Sequence, residues 1–176
     1  MVLPSSIAPS HTGALARSIA LFGVGLFIQA ALFGQSGVSK PCLDPNFTAT
    51  IEGDADFSAC GAYAYKVLWS HAILGESGNR WITLGFNTKD KAAIVPGTYK
   101  ITDGASVPKG QAFSVNFVYK IVHADKSQTN CASTDGTLIL TEADGDRFKG
   151  SFSAATKEME GEGTRKIEGE FDVRFR

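Results

Sequence analysis

Ile167-Glu168-Gly169-Glu170-Phe171-Asp172-Val173-Arg174-Phe175 is the stretch whose reading decides the fold class. Every second position gives Ile167, Gly169, Phe171, Val173 and Phe175. The intervening set, with Lys166 before it, is Glu168, Glu170, Asp172 and Arg174. An extended strand sends successive side chains to opposite faces, so it separates these two sets completely. A helix would mix them. The stretch therefore predicts a half-buried strand with a charged outer face.

The same rhythm recurs upstream. Phe113, Val115, Phe117, Tyr119 and Ile121 share one face of Gln111–Val122. Tyr63, Tyr65, Val67, Trp69 and His71 alternate with Ala64, Lys66, Leu68 and Ser70, and Ile82, Leu84 and Phe86 alternate with Trp81, Thr83 and Gly85. Shorter candidates are Phe47–Glu52, Gly97–Thr102, Gly136–Thr141 and Arg147–Ala154. Gly75-Glu76-Ser77-Gly78-Asn79 and Asp144-Gly145-Asp146 carry hairpin chemistry, and Pro96-Gly97 precedes a strand. A short helix is allowed between Asn87 and Ile94. The pattern predicts an all-β fold: a single antiparallel β-sandwich or partly closed barrel of about eight or nine strands.

The N-terminal part has a different composition. Arg17 is the one charged residue among the first 36, and Ile19–Phe33 is apolar except for Gln29. Fifteen residues are short for a bilayer of about 30 Å, and they suit the apolar region of a secretory signal. Small residues follow at Gly34 and Ser36. Residues 1–36 are therefore expected to form an apolar signal helix, with a retained membrane anchor as the alternative. Residues 37–176 form the expected β-domain. Lys40 and Pro41 before Cys42 are poor residues for a lipid-attachment box. The whole chain has 176 residues, 18 acids and 17 bases. That balance gives no field to attract nucleic acid or an anionic membrane, so no nucleic-acid partner is expected. Membrane contact is expected only if the N-terminal segment is retained.

Export implies an oxidising compartment in which disulfides persist. Cys42, Cys60 and Cys131 all fall in the exported part, and three thiols allow one bridge at most. Cys60–Cys131 is the preferred pair, because both lie near predicted strand ends. Cys42–Cys131 is second, and three reduced thiols remain an alternative.

The segment Gly136-Thr-Leu-Ile-Leu-Thr141, the following Gly150-Ser-Phe152 and the closing Gly169-Glu-Phe171 form a recognisable series. It resembles a C-terminal pattern in uncharacterised secreted and lipoprotein-type bacterial β-sandwich families. Phe47-Thr-Ala-Thr-Ile-Glu-Gly53, Phe57-Ser-Ala59 and Gly97-Thr-Tyr-Lys-Ile101 are similar too. The resemblance implies a fold and an exported location. It brings no catalytic residues with it, and the sequence around Cys42 departs from the lipid-attached members.

Candidate chemistry is sparse. His71 and His123 lie at strand ends, and Ser70 beside His71 would face the opposite way in a strand. No GxSxG elbow, phosphate loop, dinucleotide fingerprint or zinc-ligand spacing is present. Asp144 and Asp146, with Asp135 and Glu142 nearby, read as a turn rather than a calcium loop. Asp54 and Asp56 would share a strand face as a solvated edge. Tyr63, Tyr65, Trp69, Trp81, Phe113, Phe117 and Tyr119 are expected to share one interior. Asn46-Phe47-Thr48 matches a glycosylation acceptor. The expectation is a non-catalytic binding or structural module of the cell envelope or secreted fraction, without cofactor or metal. Its partner would be a protein or surface glycan met by exposed rim residues such as Arg80 or Trp81. A lipocalin-like carrier of a small apolar ligand is the alternative, and a hydrolase using His71 or His123 is the third reading.

Overall fold

The computed structural model describes residues 42–68, 70–88, 92–104 and 106–176. The expected signal helix over residues 1–36 lies outside them. The chain separates into units 1–37 and 38–176, and the second is the domain described below.

Ten strands are described: β1 Phe47–Ile51, β2 Phe57–Ala59, β3 Tyr63–Val67, β4 Ser70–Ser77, β5 Arg80–Thr88, β6 Gly97–Thr102, β7 Phe113–Val122, β8 Gln128–Ala143, β9 Arg147–Glu158 and β10 Thr164–Arg174. They form one sheet in the order β2-β1-β10-β9-β8-β6-β7-β5-β4-β3, which is not closed. Its pairings are antiparallel apart from a short parallel contact between β6 and β7. A single parallel bridge, Ala64 opposite Phe175, links β3 to the chain just past β10.

The alternation that decided the fold class operates as read. β10 lies between β1 and β9. Ile167, Phe171 and Val173 are buried, while Lys166, Glu168, Glu170 and Arg174 are exposed. In β5 and β7, Ile82, Leu84, Phe86, Phe113, Val115, Phe117 and Tyr119 enter the same core. Gly78 takes a positive φ of 63° as the first central residue of the β4–β5 hairpin, where that handedness matches the twist of the strands. At the β8–β9 turn, Asp144 Oδ1 accepts the backbone N–H groups of Asp146 (3.1 Å) and Arg147 (2.9 Å), which is why Asp-Gly-Asp reverses the chain there.

The core forms where strands that are distant in the sheet face one another. The Phe86 and Phe148 rings, from β5 and β9, are 5.4 Å apart, and those of Phe117 and Phe152, from β7 and β9, are 5.2 Å apart. Phe47 packs on Phe57, Phe152 and Phe171 at 5.7–6.0 Å. One sheet thus bends over its own apolar face, and each ring pair adds about 0.5–1.5 kcal/mol beyond its buried area. β8 makes the bend possible by changing partners. Gln128–Ala132 pairs with β7, whereas Gly136–Leu140 pairs with β6. A register shift falls between Ser133 and Asp135. There the buried Ser133 hydroxyl accepts the Phe117 N–H at 3.0 Å and donates to the Thr102 carbonyl, so the junction leaves neither group unpaired.

Three expectations are corrected. The predicted strand Tyr63–His71 is two strands: Leu68, at φ 53°, lies in a tight turn where Val67 pairs with Ser70. Apolar alternation continued through the reversal and concealed it. This split, with the short β2, raises the strand number to ten. The segment Asn87–Ile94 carries no helix among its described residues, since Asn87 and Thr88 complete β5 and residues 92–94 are irregular. The disulfide joins Cys42 to Cys60, with Cα atoms 5.5 Å apart, and not Cys60 to Cys131. Cys131 is a buried free thiol inside β8, opposite Tyr119 and Glu158. Cys60 follows the edge strand β2, far from that position in the sheet order.

Two measurements check this architecture. A Cβ on Gly169 would press on the Thr48 carbonyl, on Phe152 Cζ at 2.8 Å and on Ala49 Cβ at 2.9 Å. Gly169→Ala should therefore cost about 1–3 kcal/mol in urea unfolding; an unchanged midpoint would refute the close approach. The Cys42–Cys60 bridge closes a loop of separation 18, so reduction should lower stability by about 3 kcal/mol. A non-reducing peptide map should link those two residues and leave Cys131 open to alkylation only after denaturation.

Candidate functional site

Two polar groupings are built onto this core. The first surrounds the buried end of β7. Tyr119 follows Phe117 on the interior face, and its hydroxyl donates to Asp54 Oδ2 at 2.7 Å. A buried phenol without a partner would be costly. The β1–β2 connection supplies that partner, with Asp54 also accepting its neighbour's Ala55 N–H at 2.7 Å. Arg80 lies 3.7 Å from Asp54 and donates to the carbonyls of Ala55 and Asp56. Burial, reinforced by the Asp54 bond and charge, pushes the Tyr119 pKa up to about 12. Burial also acts to raise Asp54, but the Tyr119 and Ala55 bonds and the Arg80 charge outweigh it and hold the carboxyl below its ordinary value. At neutral pH this is a proton-holding phenol bonded to a carboxylate, a structural seal rather than an activated base. Cys131 lies beside it, opposite Tyr119. Burial raises its thiol pKa despite the neighbouring Arg165, so it stays protonated and a poor nucleophile.

The structure scatters the other residues that the sequence singled out. Asp54 and Asp56 sit in a connection rather than on a strand face, because the chain turns after Ile51. Arg80 is no exposed rim residue: its side chain is 16% exposed and held by the β1–β2 connection. Trp81 is half-buried, with Lys120 Nζ 5.8 Å from its ring. Of the seven expected core aromatics, Phe113, Phe117 and Tyr119 are buried, while Tyr63 and Tyr65 lie half-exposed and Ala64 between them points inward. Trp69 lies outside the described residues. The Asn46 side-chain amide, the would-be glycosylation acceptor, instead donates to the Ala62 carbonyl at 2.7 Å and accepts the Ala62 N–H at 3.1 Å.

The histidines are equally separate. His123 Nε2 lies 2.9 Å from the Thr129 hydroxyl on an exposed turn. His71 packs edge-on against Phe148 and Phe175, at 6.3 and 5.8 Å, and its Nδ1 is buried without a hydrogen-bond partner. The Ser70 hydroxyl donates to Asn87, not to His71. Among the described residues, no three Asp, Glu, His or Cys side chains come together as metal ligands.

The second grouping is a shallow pocket of about 310 Å³ beside the disulfide, with Asn46, Cys60–Tyr63, Arg147, Asp172 and Arg174–Arg176 around it. Arg147 is held by two bonds to Asp172 and by Glu142 at 3.0 Å. The Arg176 guanidinium lies 4.5 Å from the Tyr63 ring centre, within cation–π range. Sequence reading missed this pocket. Its residues come from segments more than a hundred positions apart, and Arg174 read simply as part of a solvated strand face.

Comparison with protein-family models, with curated proteins and with solved structures finds no match to this chain.

The setting of His71 has a measurable consequence. Burial lowers its pKa below 6.5, and Lys66, which pairs with it across the β3–β4 ladder, adds to the effect. The unfolded chain therefore binds a proton that the folded chain resists. The stability linked to His71 is complete above pH 6.5 and is lost as pH falls through that value toward the lower folded pKa. His71→Gln should flatten the stability profile between about pH 7 and 5. A variant profile parallel to the parent would contradict this setting.

Proposed function

We propose that this chain is an exported, non-catalytic β-domain serving as a binding or structural module of the cell envelope or secreted fraction. The observation that carries the reading is the filled interior. Rings from β1, β2, β5, β7, β9 and β10 meet in one continuous core, which leaves partners to be met on the surface. The same filling weighs against a carrier that encloses an apolar ligand. The Cys42–Cys60 bridge supports an oxidising destination. The ring contacts across the bent sheet, with the Ala64–Phe175 bridge, favour a partly closed barrel over two separate sheets. The glycines of the family-like pattern also lie where strands pass too closely for a side chain: Gly136 against Ala154, Gly150 against Leu140 and Gly169 against Ala49. That agrees with kinship to secreted bacterial β-sandwich domains.

The test expresses the full chain in a bacterial host and follows its processing and retention. The expected outcome is export, a mature N-terminus near residue 37, and saturable binding to isolated envelope fragments that His71→Gln leaves intact. Cytoplasmic accumulation with reduced Cys42 and Cys60, or no retention on the fragments, would overturn the reading.

A further inference from the structure

We propose that the pocket beside the Cys42–Cys60 bridge binds an acidic saccharide, one bearing a carboxylate or sulfate group; this rests on the binding-module reading above. The argument begins in the β9–β10 ladder. Arg147 and Arg174 stand directly opposite each other there. Like charges in that position repel. Asp172, two residues before Arg174 on the same face, gives both of its oxygens to Arg147, and its single charge is shared among Arg147, Lys149 and Arg174. Among the described residues, no carboxylate lies within 4 Å of the guanidinium of Arg174 or Arg176, whereas Arg147 has two. Arg147, Arg174 and Arg176 line the pocket together with Asp172. Guanidinium is the side-chain group best matched to a planar or tetrahedral oxyanion.

The surroundings favour a hydroxyl-rich ligand over a bare anion. A pocket of about 310 Å³ exceeds what a small inorganic anion fills. Its wall also includes the turn Cys60–Ala62, whose Ala62 amide and carbonyl are already paired with Asn46, and the Tyr63 ring. The wall is also fixed before any ligand arrives. The disulfide anchors Cys60, and the paired Asn46–Ala62 bonds hold the next turn. The Tyr63 ring positions Arg176, which also reaches the Gly61 carbonyl at 3.5 Å. A pre-set wall loses little freedom on binding.

The experiment titrates the intact, oxidised protein with polygalacturonate, with dextran sulfate and with neutral dextran, at low and at physiological salt. Binding to at least one acidic polymer and none to neutral dextran is expected, with the stronger acidic partner identifying carboxylate or sulfate. The double variant Arg174→Gln/Arg176→Gln should weaken it by roughly tenfold or more. Lys109→Gln/Lys126→Gln removes the same charge elsewhere and should change it little. Equal loss in both double variants, or equal binding of neutral dextran, would overturn the proposal. Envelope retention that persists unchanged in the Arg174/Arg176 variant would overturn it too, while leaving the binding-module reading intact. Loss of retention in the parent protein would overturn that reading instead.

Discussion

Phe117 against Phe152, and Phe86 against Phe148, bring together strands that are not neighbours in the sheet. These contacts exist only when the sheet bends. The bend in turn is stable only because the rings fill the space it encloses, at the density protein interiors require. Strand order, the orientation of β10 and the location of both polar groupings follow from this mutual dependence. Tyr119 belongs to the same inward row as Phe117, so its hydroxyl emerges where the apolar filling ends and must find Asp54. The disulfide-side pocket lies outside the filling, where the outer faces of β9 and β10 carry charge.

β8 bears the topological burden of the bend. A strand of 16 residues would be long for a flat edge, but here it serves two partners in succession while β9 follows it from Cys131 onward. Ser133 stands at the handover, and Gly136 just beyond it lets β9 pass with Ala154 Cα only 2.9 Å from where a Cβ would sit. A small polar residue followed by a glycine is what the geometry requires, since a larger side chain at either place would push the ladders apart.

Much of this was legible in the sequence, for a clear reason. Where one face of a strand is buried and the other wet, composition alternates, and Ile167–Phe175 states its orientation directly. The reading failed where alternation stopped being informative. Between Tyr63 and His71 it ran on through a chain reversal, because the hairpin tip carries Leu68 with 79% of its surface exposed and no glycine marks the turn. Long-range partners were also invisible. Tyr119 gave no sign of being bound to Asp54, 65 residues earlier. Arg176 likewise did not advertise Tyr63. Cysteine pairing was misjudged because strand-end proximity was weighed and neighbourhood along the chain was not.

That last feature bears on the order in which the covalent structure is made. Two of the three thiols are separated by 18 positions, and the third follows another 71 residues later. If the chain is exported, as proposed, a polypeptide emerging from its N-terminal side presents the first two to an oxidant before the third arrives. The correct bridge is then the earliest one available, and subsequent collapse of the hydrophobic filling sequesters the odd sulfur from exchange.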